Sequence, residues 1–107
     1  MIFEGFLSPK PGKRRTRLKE LLSTEDAIVL YESPFRIVKL LTDIADIDNN
    51  RRVVVGRELT KLHEEIIEGT AAELRDDFTS RASIKGEFAV FISGIKKVQL
   101  SDESTDK

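Results

Sequence analysis

The stretch Ala27-Ile28-Val29-Leu30-Tyr31-Glu32-Ser33-Pro34-Phe35-Arg36 decides the fold class. Its first five residues form a compact apolar run suited to a strand buried inside a sheet. Glu32-Ser33-Pro34 closes that run abruptly. Ser33 is placed to cap a helix and Pro34 to take its first position, where a missing N–H costs nothing. Ile37, Leu40, Leu41, Ile44 and Ile47 then recur at helical spacing until Asp48-Asn49-Asn50 ends the pattern. A buried strand that runs straight into an amphipathic helix is the repeating unit of an α/β sheet.

The rest of the chain reads outward from that unit. Upstream, residues 2–7 predict a strand, and Ser8-Pro9-Lys10-Pro11-Gly12 predicts a loop, because two prolines and a glycine oppose both ladder and helix. Leu18, Leu21 and Leu22 then give residues 13–23 a narrow helical stripe. Downstream, residues 52–59 predict a buried strand with a charged far end, 60–63 a connection and 65–68 a short strand. Thr70 and Glu73 stand at capping-box spacing ahead of a helix over 71–79, and residues 86–92 supply the last strand. Residues 101–107 are polar and are expected to be a disordered tail. The order predicts one α/β domain over residues 1–100, a mixed sheet of about five strands with helices on its faces.

A chain of 107 residues can bury one modest core, which leaves little room for two lobes with a cleft between them. No run approaches the roughly 18 apolar residues of a membrane span, and no membrane partner is expected. The absence of Cys excludes thiol redox chemistry and fits a reducing, cytoplasmic compartment. The net charge of −1 conceals an asymmetry: Lys10, Lys13, Arg14, Arg15, Arg17 and Lys19 put six basic residues into positions 10–19 with no acid, leaving 12 basic against 19 acidic residues elsewhere. Such a segment either meets phosphates or is a solvated charged face. It contains no aromatic residue for base stacking.

Neither glycine pattern of a nucleotide cradle, GxGxxG or GxxxxGK[ST], occurs. Tyr31-Glu32-Ser33-Pro34-Phe35-Arg36 lies where the carboxyl end of a strand meets a helix, the usual ligand rim of an open α/β sheet, although a capped turn alone would account for it. Arg57 and Glu58 place a charge pair at the end of another strand. His63 with Glu64 and Glu65 lacks the HExxH spacing, and no second His exists, so no metal site is expected. A role for His63 in proton transfer stays open.

Taken in order, Phe3-Glu4-Gly5-Phe6-Leu7 with its basic loop, YESPFR at 31–36, RELTKLHEE at 57–65, Glu68-Gly69-Thr70 and Ile84-Lys85-Gly86-Glu87-Phe88 resemble the carboxyl-terminal half of the small-subunit ribosomal RNA methyltransferases of the tetrapyrrole (corrin and porphyrin) methylase superfamily. The resemblance spans residues 2 to 95. It implies a two-domain enzyme that uses S-adenosylmethionine to methylate the ribose 2′-oxygen of a cytidine in 16S ribosomal RNA, with the cofactor held between two α/β domains. It further implies that this chain is an excised carboxyl-terminal domain without its amino-terminal partner, Met1 standing at the cut, and that the fragment alone is inactive. By the same resemblance Tyr31, Glu32, Ser33, Glu87 and Phe88 are expected at the cofactor. Lys10, Lys13, Arg14, Arg15, Arg17 and Arg36 are expected to guide RNA, and Glu58 and His63 are the general-base candidates. The family pattern often carries His where this chain has Phe35, which removes a ring-nitrogen contact there. Expected partners are ribosomal RNA or the small ribosomal subunit, the missing domain and a second copy in a homodimer.

Two other readings compete. The same chemistry directed at a porphyrin or corrin ring would make this half of a tetrapyrrole methylase. The fold could also serve as a noncatalytic binding module. The basic segment favours RNA over the first, and a glycine-rich strand-loop-helix upstream would favour an enzyme over the second.

Overall fold

The computed structural model describes residues 1–60 and 63–95, of which 58–60 and 63 are described for the backbone alone. Its elements run β1 (Ile2–Phe6), α1 (Pro11–Leu22), β2 (Ile28–Glu32), α2 (Ile37–Ile47), β3 (Arg52–Thr60), β4 (His63–Thr70), α3 (Ala71–Thr79) and β5 (Glu87–Ile92). They build one five-stranded sheet in the order β1-β2-β5-β3-β4. β1 pairs parallel with β2, and the remaining pairs are antiparallel, so the mixed five-stranded sheet of the sequence reading is what forms. β5 enters at the centre of the sheet, between β2 and β3.

The described helices all lie on one face of the sheet. Crossovers between parallel strands are right-handed. Those from β1 to β2 and from β2 to β3 move the same way across the sheet, which puts α1 and α2 on one side. The crossover from β4 to β5 moves back, but its strands also run the other way, and the two reversals return α3 to that side.

The register sorts side chains accordingly. Ile28, Ile92 and Val53 form one row and Leu30, Val90 and Val55 the next, all buried against Leu18, Leu21, Leu40, Leu41, Ile44, Leu74 and Phe78 of the helices. Phe78 and Phe88 meet edge-on at 5.3 Å between ring centroids, and the Arg81 guanidinium lies 4.3 Å from the Phe78 ring centre. The alternate rows, Phe3-Val29-Phe91-Val54-Glu68 and Phe6-Tyr31-Ala89-Gly56-Ile66, face away from the helices. Phe3, Phe6, Tyr31, Phe91 and Ile66 are all exposed there.

Several boundaries differ from expectation for identifiable reasons. α1 starts at Pro11, since proline is tolerated at the first helical position, and Lys10 is its uncapped N-cap. Ser33 does not cap α2. The helix starts at Ile37 after a turn in which the Arg36 N–H donates to the Ser33 carbonyl at 3.1 Å, and Ser33 Oγ accepts from Arg36 Nη1 at 3.1 Å. The expected connection at 60–63 is shorter, because β3 continues to Thr60 and β4 resumes at His63. The Thr70–Glu73 capping box forms in both directions, at 3.2 and 2.8 Å. Residues 101–107 lie outside the described residues. No described helix is long and apolar enough to cross a membrane.

Candidate functional site

Because β1 and β2 are parallel and β5 is antiparallel to both β2 and β3, one rim of the sheet collects the ends of β1, β2 and β3 and the beginnings of β4 and β5. On the open face beside this rim lies a groove of about 540 Å³ lined by Phe6, Tyr31, Gly56, Arg57, Glu64, Glu65, Ile66, Glu87, Phe88 and Ala89. Its walls are raised by large side chains and its floor is lowered by small ones. Tyr31 stands between Phe3 and Phe6, each 5.5 Å away between ring centroids. At Gly56, an added Cβ would meet nothing nearer than the Ala89 carbonyl oxygen at 4.0 Å, so the absent side chain is what keeps the centre of the groove clear. An apolar floor, an aromatic wall and carboxylates at the edge fit a flat heterocycle carrying a cation.

Behind the groove, in the helix-side row shared with Phe88, ion pairs tie β3 and β4 to the segment after α3. Glu65 accepts from Arg81 at 3.0 Å with both oxygens and from Arg57 at 2.8 Å. The Arg81 hydrogen bonds, followed by the positive charges of Arg81 and Arg57, hold the Glu65 carboxyl below its ordinary value. The same contact raises Arg81. Arg57 also reaches the Lys85 carbonyl at 3.3 Å, tying β3 to the segment before β5.

Of the five residues expected at the cofactor, Tyr31, Glu87 and Phe88 line this groove and Glu32 and Ser33 do not. Phe88 is buried and turns its ring toward Phe78, so its groove surface is largely backbone. Glu32 points to the helix side, in the same row as Phe88 and Arg57. There Arg14 Nη2 donates to Glu32 Oε1 at 2.7 Å, the two residues being 2% and 3% exposed. Glu32 Oε2 accepts the Ser33 N–H at 3.0 Å, and Arg14 Nη1 reaches the Ser8 carbonyl at 3.4 Å. The pair thus joins the loop after β1 to the loop after β2.

That finding corrects the reading of the basic segment. Arg14 lies inside the protein and is unavailable to a phosphate. Arg15 pairs with Asp43 at 3.2 Å and Asp46 at 3.7 Å. Arg17 pairs with Glu4 at 2.8 Å and Glu20 at 3.0 Å, which lowers the Glu4 carboxyl and raises the Arg17 guanidinium. Carboxylates therefore pair with all three arginines, most of them from elsewhere in the chain. Lys10, Lys13 and Lys19 are exposed and make no ion pair among the described residues, and Arg36 is half-buried against Ser33. Lys10 and Lys13 stand at the rim, and Lys19 sits in the last turn of α1. The burial of Arg14 had a signal in the sequence: it falls four residues before Leu18, on the same helical face.

The side chains of Glu58 and His63 lie outside the described residues, and their backbones sit at the rim end of β3 and β4. Among the described residues no group of three His, Asp or Glu could hold a metal ion. Phe6, Gly56, Arg57, Ile66 and Ala89 were missed as groove residues. Their alternation along strands was legible, but the pairing of β5 between β2 and β3, which brings them together, was not.

Known proteins share this architecture. A cobalt precorrin-4 methyltransferase superposes on 87% of the chain with a TM-score of 0.63 at 16% identity, covering 40% of that enzyme. The methyltransferase CobJ does so on 88% of the chain at 0.63 and 14% identity. In sequence, the chain is 40% identical over 94 residues to the ribosomal RNA small subunit methyltransferase I of Borrelia garinii subsp. bavariensis and 42% over 93 residues to that of Thermotoga maritima, covering 87% of this chain in both cases. It is 33% identical over 102 residues, 95% of this chain, to that of Bacillus subtilis. The chain spans only 42%, 41% and 35% of the length of those three relatives. The tetrapyrrole (corrin/porphyrin) methylase family model matches residues 2–75, and the chain belongs to that family.

Proposed function

We propose that this chain is the second half of an S-adenosylmethionine-dependent methyltransferase whose acceptor is the ribose 2′-oxygen of a cytidine in small-subunit ribosomal RNA. The reading is carried by the groove on the open sheet face, together with relatives that bear the name of a ribosomal RNA methyltransferase over almost the whole of this chain. S-adenosylmethionine, the methyl donor of the family, supplies a methyl group on a positively charged sulfur. Tyr31, Gly56 and Ala89 would support its flat heterocycle, and Glu87 and Glu64 would face its positive charge.

Transfer to oxygen needs the acceptor O–H aligned with the donor, its proton removed, and water kept out. This chain provides one wall toward those ends. The groove is open on the side away from the helices, and the part of the relatives that this chain does not span would close it. The rim lysines Lys10 and Lys13, with Arg36, would hold the RNA backbone. Glu58 and His63 remain the base candidates by position on the rim.

Gly56→Val tests the reading with the amino-terminal portion of the Thermotoga maritima relative joined ahead of Met1. The joined protein should transfer labelled methyl groups to a ribose of small-subunit RNA, and the valine variant should lose at least tenfold of that activity while keeping its thermal stability. Equal activity of the valine variant, or label on a tetrapyrrole and none on RNA, contradicts it.

A further inference from the structure

Among the described residues Phe35 is the most exposed large apolar side chain, at 92%. It lies in the turn between β2 and α2, on the ligand rim, and the turn is held in shape from beneath: Arg36 Nη1 grips Ser33 Oγ, and Glu32 fixes the Ser33 N–H. The ring is therefore presented by an ordered backbone. The Arg14–Glu32 bridge sets this turn beside the Ser8–Lys10 loop, where Lys10 and Lys13 carry the rim charges that no described acid neutralises.

Exposed aromatics fall into two settings in this molecule. Phe3, Phe6, Tyr31 and Phe91 share a continuous apolar sheet face, the kind of patch that marks contact with protein or a cofactor. Phe35 stands apart from that face, between Pro34 and Arg36, with cations on the neighbouring loop and helix start. An isolated ring bordered by cations suits a nucleobase: the π-face stacks on any base while the charges take the adjoining phosphates.

Building on the RNA reading above, we infer that Phe35 is a base-stacking residue for single-stranded RNA, and that it forms one docking unit with Lys10 and Lys13. The unit supplies the aromatic element that the basic segment of α1 itself lacks. Stacking is sequence-tolerant, so its contribution is affinity and placement of the strand over the rim, with choice of nucleotide made elsewhere.

The chain contains no Trp, so Phe35→Trp introduces a single indole as reporter. Titration with a single-stranded RNA oligonucleotide at low salt should quench that indole on saturation and leave affinity close to that of the unsubstituted chain. Phe35→Ala should weaken binding about tenfold with an unchanged salt slope, and should bind inorganic polyphosphate, a polyanion without bases, as well as the unsubstituted chain does. Charge reversal of Lys10 and Lys13 should instead reduce the salt slope. RNA binding that is indifferent to Phe35→Ala, or that leaves the indole unquenched, overturns the stacking role while the RNA reading stands. Failure of the unsubstituted chain to bind RNA overturns the docking unit, while the joined protein's methyl transfer to RNA decides the reading on which it rests. An indole emission that shifts with protein concentration alone would show the ring buried in self-association and would also overturn the inference.

Discussion

The two faces of the sheet differ in what their side chains do. On the helix side, Ile28, Leu30, Val53, Val55, Phe88, Val90 and Ile92 are buried in one core with the three helices. On the other side, Phe3, Phe6, Tyr31, Phe91 and Ile66 present apolar surface to solvent. One face holds the fold together, and the other leaves a row of aromatic side chains in solvent. Substitutions should separate them sharply.

The largest effect belongs to the covered face. Phe88→Ala removes a ring packed edge-on against Phe78 and should cost about 3–5 kcal/mol of unfolding free energy by denaturant titration. Phe91→Ser, three residues along the same strand but facing outward, should stay within about 0.5 kcal/mol. A large loss at Phe91 would erase the distinction.

Next comes the buried pair. Glu32→Ala strands the Arg14 guanidinium in the interior and should destabilise by about 3 kcal/mol, whereas Arg14→Met with Glu32→Leu should recover most of the loss because both charges leave together. Thr70→Ala removes half of the capping box and should cost about 1 kcal/mol.

The smallest effect is titratable. The Glu65 carboxyl is held below its ordinary value of 4.5 by Arg81, so its contribution is full above that value and fades as pH falls through the lowered one. Acid unfolding curves of Glu65→Gln should converge on those of the unsubstituted chain at low pH and separate from them above pH 4.5. Curves that stay parallel would remove this contact from the balance.

Local chemistry carried much of this into the sequence. The run 27–31, the stripe Ile37 to Ile47 and the Thr70–Glu73 box each act through neighbours a few residues apart, and each formed close to where the residues predicted. The open face was not legible, because it follows from the insertion of β5 at the centre of the sheet, a pairing between segments some 60 residues apart along the chain. The same distance hid the fate of the basic segment. Nothing near Arg14 and Arg17 announces Glu32 and Glu4 as their partners, and composition alone counted as free charge what the fold neutralises. Of the residues that the family resemblance implied at the cofactor, Tyr31, Glu87 and Phe88 line the groove, whereas Gly56 and Ala89, brought there by strand order, were not singled out.

The open face, read as one wall of a cofactor cleft, leads to a direct measurement. Calorimetric titration with S-adenosylmethionine should give no detectable heat for this chain alone, since an exposed single wall leaves most of the ligand in water. Joined to the amino-terminal portion of a relative, the same chain should show saturable binding that Gly56→Val abolishes. Micromolar binding by the chain alone, or undiminished binding by the joined valine variant, would contradict it.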